Sequence, residues 1–134
     1  MMLVKTYLDK SPIHGIGVFA AEFIHKETKI WRFVEGFDRV YSAKKFAKLP
    51  KPARDYIKRY GYHADGEILF TVDHDCYVNH SDHPNTYLKS GFVIARRKIG
   101  RGEEITNDYR EFDLVFCASF LNAKTFRSVS RRNR

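Results

Sequence analysis

The sequence lacks the features that mark secreted, membrane-spanning or zinc-stabilised proteins. Its 134 residues contain two cysteines, Cys76 and Cys117, and no CxxC pair, so they provide neither a disulfide framework nor a four-cysteine zinc site. No run of eighteen apolar residues occurs, and the opening segment MMLVKTYLDK is charged too early for a secretory signal. Internal repeats and low-complexity stretches are also absent. We therefore expect a soluble protein retained in the reducing interior of a cell.

Positive charge exceeds negative charge, with 24 Lys and Arg against 16 Asp and Glu and a formal net charge of +8. Part of the excess lies in a C-terminal tail without acidic residues, carried by Lys124, Arg127, Arg131, Arg132 and Arg134. Such a tail can contact nucleic acid through counterion release, although a solvated, partly disordered terminus is the more common reason for one. The charge therefore does not decide the function.

The hydrophobic pattern predicts a mainly β protein with a few short helices. Segments rich in branched and aromatic residues are separated by Gly, Pro or Asp, which is typical of several small sheets rather than a parallel α/β fold. The predicted strands are Leu3 to Leu8, Gly17 to Ala20, Lys29 to Val34, Ile68 to Val72, Thr86 to Ser90, Phe92 to Arg96 and Glu104 to Tyr109.

Two helices are predicted among these strands. The first ends before Gly61, because apolar residues recur there at i, i+3, i+4 and i+7, and we interpret them as a core-facing stripe. The stripe consists of Ala53, Tyr56, Ile57 and Tyr60. The second helix is predicted from Glu111 to Leu121, with aromatic and branched residues on one side.

The first candidate binding segment runs from Ser11 to Ala20, with Gly15 and Gly17 on either side of Ile16. Paired glycines allow a backbone to approach a ligand that any Cβ would exclude. The segment lacks the third glycine and the following helix of a dinucleotide fingerprint, so a tight turn between strands explains it about as well.

The second candidate segment runs from Asp73 to Asn85, where polar side chains are denser than a loop requires. His80 and His83 are spaced so that both could face one metal ion, but there is neither an H-E-x-x-H helix nor a closed set of four soft ligands. A turn rich in Asn, Asp, Ser and Pro also stabilises itself through its own side-chain hydrogen bonds. We therefore predict a bound ligand or a tight turn here, and no metal.

The third candidate segment is Gly102 to Tyr109, which has a turn glycine, two acids and a short strand ending in tyrosine. Considered alone, it is an ordinary surface hairpin with an aromatic end.

In this order and spacing, the three segments together resemble the SET-domain family of protein-lysine N-methyltransferases. The resemblance covers Val4 to Phe112 and rests on GIGVFA, NHSDHPN and GEEITNDY, with Ile30 to Val34 at the place of the family's second motif. The chain looks most like the shortest members, which are viral and bacterial. The resemblance implies a SET fold of several small sheets, with a knot-like threading of the C-terminal segment. The SET domain would span 1–113, followed by a closing segment and basic tail at 114–134.

The resemblance also implies S-adenosyl-L-methionine as cofactor and assigns roles to residues. Tyr109 is expected to be the catalytic residue beside the transferred methyl group. The expected cofactor-binding residues are Gly15, Ile16, Gly17, Tyr77, Asn79, His80, Tyr109 and Phe112. The expected lining of the substrate-lysine channel is Phe33, Leu88, Asn107 and Tyr109. The family's C-terminal zinc cysteines are missing, so we expect Phe112, Phe116 and Phe120 to close the cofactor pocket.

Three positions depart from the family's usual pattern. Phe33 stands where the second motif usually has a tyrosine, and Asp82 stands where the chromatin enzymes often have a cysteine. Asn107 stands where an aromatic side chain can narrow the lysine channel. Because asparagine is smaller, we predict that methylation proceeds to di- or trimethyl-lysine.

The leading prediction is methyl transfer to the side-chain amine of lysine in a protein, with a basic chromosomal or ribosomal protein as substrate. The alternative is a catalytically weak SET-like module whose basic tail docks on nucleic acid or an acidic protein. A metal-dependent hydrolase built on the His/Asp-rich loop is a third hypothesis. We expect a cytoplasmic or nucleoid-associated protein, or one in the host nucleus if it is viral or an effector. We expect no membrane contact and leave a homodimer open.

Overall fold

The computed structural model describes residues 1–64 and 67–111, which form small sheets joined by short helices. The strands are β1 (Thr6–Lys10), β2 (Ile16–Ala20), β3 (Lys29–Arg32), β4 (Arg39–Ser42), β5 (Tyr62–Ala64), β6 (Glu67–Phe70), β7 (Asn79–His80), β8 (Thr86–Lys89), β9 (Phe92–Ala95) and β10 (Glu104–Asn107). The helices are α1 (Ala43–Ala47), α2 (Lys51–Tyr60), α3 (Tyr109–Glu111) and a 3-10 turn at His74–Tyr77. The predicted class, mainly β with a few short helices, is confirmed.

The first sheet brings the three candidate segments together. Its strand order is β1-β2-β10-β7, in which β2 pairs antiparallel with both β1 and β10. Strand β10 pairs in parallel with β7, so that Thr106 lies opposite Asn79 and Asn107 lies opposite His80. The first, second and third candidate segments therefore become neighbours through backbone hydrogen bonds.

Two further sheets pack around the first, with strand orders β3-β9-β8 and β4-β6-β5. The core between the elements contains large side chains that are almost completely buried: Val18, Ile24, Ile30, Trp31, Leu69, Val93, Ile99 and Ile105. The alternation of side chains along strand β10 positions the site. Ile105 points into the core, while its neighbour Glu104 points to the opposite side. Within the described ranges, no helix is long and apolar enough to cross a bilayer.

Several predicted boundaries differ from those of the structure. Strand β1 begins at Thr6 rather than Leu3, because the backbone N–H of Leu3 donates to Ile30 O at 2.7 Å and Met2 bridges Trp31. The short elements β4, β5, β7 and α1 were not predicted, since so few residues carry no clear periodicity.

The predicted first helix is confirmed as α2, but its stripe is only partly a core surface. Ile57 is 5% exposed, whereas Tyr56 is 42% exposed, so the core-facing interpretation is wrong for Tyr56. The predicted helix from Glu111 to Leu121 and the basic tail lie almost wholly outside the described residues. The predicted domain boundary near 113 and the knot-like threading stay predictions.

Candidate active site

A pocket of about 450 Å³ opens between the β1–β2 turn, the C-terminal end of α2 and the 3-10 turn. The described residues that line it are His14, Gly15, Ile16, Arg59, Tyr60, Tyr62, Cys76, Tyr77, Asn79 and Tyr109. Five of the expected site residues therefore share one cavity, and they come from all three candidate segments. Tyrosine rings make up much of the wall.

Tyr109 is held from both ends at the start of α3. Its hydroxyl donates to Val78 O at 2.6 Å, and its backbone N–H donates to His80 Nδ1 at 3.1 Å. The ring of Tyr62 meets the Tyr109 ring edge-on, with the centroids 6.2 Å apart at 88°. These contacts fix both the ring and the hydroxyl of Tyr109 at the pocket wall.

His80 holds the backbone of Tyr109 in place through a hydrogen bond. Because the Tyr109 amide can only donate, Nδ1 of His80 accepts, and Nε2 carries the proton that reaches Asp82 Oδ1 at 3.0 Å. Asp108 Oδ1 lies 3.8 Å from Nδ1, and hydrogen bonds from Arg110 lower the pKa of the Asp108 carboxyl. The pocket lining does not include His80 among the described residues, so its expected cofactor contact stays a prediction.

Asn79 ties the candidate segments together through one amide group. Its Nδ2 donates to His14 O at 3.0 Å, to Ile16 O at 3.2 Å and to Glu104 Oε1 at 2.9 Å. The Glu104 carboxylate also accepts from Ser11 Oγ at 2.7 Å and 2.9 Å. Asn79 is only 8% exposed, so this network fixes the path of the glycine segment along the pocket.

The two glycines of the first segment serve different purposes. Gly15 lines the pocket with a φ of +47°, a left-handed conformation that side chains other than Asn and Asp rarely adopt. A Cβ on Gly17 would lie 2.1 Å from Glu104 Oε1, so this glycine makes room for the carboxylate. The expected role of Gly17 at the cofactor stays a prediction, while its packing role is visible in the fold.

A second group of tyrosines stabilises the opposite wall. The hydroxyls of Tyr56 and Tyr77 lie 2.6 Å apart, and the Tyr60 ring meets the Tyr77 ring at 5.1 Å and 63°. Although the Tyr56 side chain as a whole is 42% exposed, desolvation of its hydroxyl, reinforced by the hydrogen bond with Tyr77, raises the pKa of that hydroxyl. Burial, reinforced by the Asp75 carboxylate, raises the pKa of the Cys76 thiol to about 12. Both groups therefore remain protonated near neutral pH.

The expected channel residues other than Tyr109 are not among the residues that line this pocket. Phe33 packs against the core, and Leu88 is 8% exposed within it. Asn107 is 1% exposed, and its Oδ1 accepts from Thr86 Oγ1 at 2.7 Å, while its Nδ2 has no hydrogen-bond partner among the described residues. Their role in a lysine channel stays a prediction.

Polar groups of the His/Asp-rich loop, the second candidate segment, form hydrogen bonds with other groups of the protein. His80 is committed to Tyr109 and Asp82, and the backbone N–H of His83 donates to Ser81 Oγ at 3.0 Å. In the part of the chain that the structure describes, no group of three or more His, Cys, Asp and Glu side chains is arranged to hold a metal ion. The metal-dependent hydrolase therefore stays an untested hypothesis.

Several residues of the site were not predicted from the sequence: His14, Arg59, Tyr60, Tyr62, Cys76 and Glu104. A signal existed for Glu104, which alternates with Ile105 and therefore had to face away from the core. A signal existed also for Tyr60, which lies one turn from Tyr56 on α2. For Arg59 and Cys76 the sequence offered no such pattern.

Comparison with known proteins identifies the family. The SET domain family matches residues 15–110, which span most of the chain and include the second and third candidate segments and Gly15 to Ala20 of the first. The chain therefore belongs to the SET domain family. Phe112, which was expected to stack on the cofactor, lies beyond this match and outside the described residues.

Two named relatives are identical to this chain at 30% of the aligned positions. It is 30% identical over 120 residues to the Drosophila melanogaster histone-lysine N-methyltransferase trr, covering 82% of this chain and 5% of that protein. It is 30% identical over 119 residues to human histone-lysine N-methyltransferase 2D, covering 81% of this chain and 2% of that protein. The chain thus spans a small fraction of these relatives, and a viral or bacterial origin stays a prediction.

Solved structures share the fold. A candidate histone methyltransferase of Plasmodium falciparum aligns with a TM-score of 0.58 and 25% identity, covering 81% of this chain and 95% of that one. A Chaetomium thermophilum Polycomb Repressive Complex 2 bound to S-adenosylmethionine aligns with a TM-score of 0.58 and 18% identity, covering 91% of this chain and 16% of that one. The predicted SET fold is therefore confirmed.

Proposed function

We propose that this chain transfers the methyl group of S-adenosyl-L-methionine to the side-chain amine of a lysine in a protein substrate. The proposal rests mainly on one observation: the three candidate segments meet at one pocket, and Tyr109 lies in its wall. Membership of the SET domain family and the histone-lysine N-methyltransferase relatives support the same chemistry.

The pocket suits S-adenosyl-L-methionine in size and in chemistry. Its volume of about 450 Å³ lies in the range of small-molecule sites. Tyr60, Tyr62 and Tyr77 offer aromatic surfaces for an adenine ring or a sulfonium cation. The left-handed turn at Gly15 exposes backbone groups, and Arg59 supplies a cation for the carboxylate of the methionine part. When bound, the cofactor supplies an activated methyl group.

The Cys76 thiol and the Tyr56 hydroxyl are uncharged near neutral pH, so they do not compete with the substrate amine for the methyl group. A thiolate at Cys76 would be a strong nucleophile and would compete with the substrate amine for the methyl group. The raised pKa of Cys76 keeps it as a thiol, and the raised pKa of Tyr56 keeps that hydroxyl protonated. The residues around the pocket thus provide shape and orientation rather than a competing base.

The substrate lysine has to be neutral to accept a methyl group. A free lysine is neutral about one time in 10³ at pH 7, since its ordinary pKa is about 10.4. An apolar channel and a nearby positive charge both disfavour the ammonium form. The Tyr109 hydroxyl and the Val78 carbonyl, which lie 2.6 Å apart, are placed to orient the neutral amine through hydrogen bonds.

We further propose a basic chromosomal or ribosomal protein as the substrate, a di- or trimethyl-lysine product, and a cytoplasmic or nucleoid location. The histone-lysine relatives support a basic substrate protein, and the small side chain of Asn107 supports the higher methylation states.

The experiment that tests the function combines binding with transfer. Isothermal titration should detect S-adenosyl-L-methionine binding, and radiolabel from its methyl group should enter a protein of the source organism's lysate at lysine. Identification of the labelled protein would name the substrate. A folded protein that neither binds the cofactor nor retains it through purification would overturn the proposal and favour the weak binding module instead.

A further inference from the structure

Positive charge is concentrated on one structural unit outside the basic tail. We call α1, α2 and the loop between them, residues 43–60, the basic helix pair. It carries seven cationic residues and one acidic residue, a net charge of +6, whereas the rest of residues 1–111 carries twelve cationic and fourteen acidic residues, a net charge of −2. The cationic residues of the pair are Lys44, Lys45, Lys48, Lys51, Arg54, Lys58 and Arg59.

Contacts between the two helices hold these charges on one surface unit. The Arg54 guanidinium donates to Leu49 O at 2.8 Å and to Ala47 O at 3.3 Å, which fixes the end of α1 against α2. Lys58 Nζ lies 5.8 Å from the Phe46 ring centroid and links the helices again. The other cationic side chains of the pair are exposed, so they meet a partner without rearrangement of the backbone.

Part of this like charge is unfavourable to α1 and to the start of α2. Neither α1 nor α2 has an acidic residue in its first turn, and Lys44 lies one turn from Lys48, where like charges repel. Lys51 is paired with Asp55 at 2.6 Å, but within the described ranges Lys44, Lys45 and Lys48 have no acidic partner at salt-bridge distance. A bound polyanion would relieve this repulsion.

The surface chemistry points to nucleic acid rather than to a membrane or an acidic protein. Within 43–60, all of which the structure describes, Tyr56 is the one large hydrophobic side chain that is exposed, and its hydroxyl is engaged by Tyr77. A bilayer needs apolar side chains to enter it, and protein interfaces depend on apolar or aromatic anchors. Binding to phosphates needs only the charges, because counterion release provides the driving force.

We propose that the basic helix pair docks on the phosphate backbone of duplex DNA. Arg59 lies at the C-terminal end of α2 and also lines the pocket, so bound DNA would run close to the site where a protein substrate is modified. The contact is independent of sequence, because it involves phosphates and not base edges. It does not depend on the proposed methyl transfer.

The test measures binding of fluorescein-labelled duplex DNA to the full chain by anisotropy over a series of salt concentrations, without cofactor. In the test variant, Lys44, Lys45 and Lys48 are each changed to Gln, which keeps a helix-favouring residue. In the matched control, the exposed Lys26, Lys89 and Arg101 are each changed to Gln, so that both variants lose the same net charge. Circular dichroism checks that both remain folded.

We expect the test variant to bind at least tenfold more weakly at low salt. The slope of log affinity against log salt should fall by about 3, at about 0.9 per phosphate contact, while the control keeps a slope close to that of the unaltered chain. Equal losses in both variants would mean that net charge alone attracts DNA, and no loss in either would place the contact in the tail; both results would overturn the proposal. Polyglutamate that displaces the DNA as well as unlabelled DNA does would also overturn it.

Discussion

The hydroxyl of Tyr109 has one observed contact and one proposed role, and because a single substitution removes both, two measurements are needed to tell them apart. It donates to Val78 O at 2.6 Å, and it is the group that we expect to orient the substrate amine. In Tyr109→Phe the ring and its contact with Tyr62 remain, so the loss in the free energy of unfolding should be about 1 kcal/mol. Methyl transfer should fall by about 10²-fold or more, because a positioned polar group at the reacting centre is lost.

A control for this substitution is Tyr87→Phe, which removes a hydroxyl that donates to Glu27 and does not line the pocket. Radiolabelled transfer and thermal unfolding should be measured for both variants. Transfer by Tyr109→Phe at the rate of Tyr87→Phe would rule out the catalytic role of the Tyr109 hydroxyl.

The side chain of Asn107 leads to a prediction about the product. It is small, almost fully buried and hydrogen-bonded to Thr86, so this position lacks an aromatic ring that could narrow the expected lysine channel. We expect a substrate peptide driven to completion to reach di- or trimethyl-lysine, as measured by mass spectrometry. Asn107→Tyr should restrict the product to lower states, with a melting measurement to check its fold. Accumulation of only monomethyl-lysine with the unaltered protein would contradict the volume argument.

At the scale of elements, the turn between β1 and β2, strand β7 and strand β10 are joined through the Glu104 carboxylate. Glu104 cannot move freely, because Ser11 Oγ and Asn79 Nδ2 both donate to it. In Gly17→Ala the new Cβ would lie 2.1 Å from Glu104 Oε1 and would force the carboxylate out of this network. We expect a loss of about 1–3 kcal/mol in the free energy of unfolding and weaker cofactor binding.

The matched control for this prediction is Gly100→Ala, since a Cβ there meets no atom within 4 Å and the backbone is not left-handed. Chemical denaturation and isothermal titration should distinguish the two variants. If Gly17→Ala and Gly100→Ala were equally stable, the carboxylate would be free to move and the network would not hold the glycine segment.

The elements also explain how far the sequence could predict the molecule. The three motif segments were predicted to form one site, and the pairing of β10 with β2 and β7 brings them together. Periodicity predicted most of the longer strands and α2. It could not predict β7, which has two residues, nor the approach of Arg59 and Cys76 to the pocket, which depends on how α2 and the 3-10 turn pack.

At the scale of the whole molecule, one buried carboxyl group links stability to pH. Asp75 is 2% exposed, and its Oδ2 has no hydrogen-bond partner among the described residues. Burial, reinforced by the charge of Asp73, raises the pKa of Asp75 from 3.8 to about 7. The native state therefore binds this proton more tightly than the unfolded chain does.

The sign of the pH dependence follows from this difference. Below pH 4 both states hold the proton, and the group contributes no penalty. As the pH rises from about 4 to about 7, the unfolded chain loses the proton first, so the free energy of unfolding falls, and it levels off above that window.

Asp75→Asn, which has nearly the same shape and does not ionise, should lack this fall. Its melting temperature relative to the unaltered protein should therefore increase between pH 4 and pH 8. Asp9→Asn, at an exposed position on β1, serves as the control and should melt in parallel with the unaltered protein across the same range. Parallel curves for Asp75→Asn as well would mean that the Asp75 carboxylate is accommodated in the native state without cost.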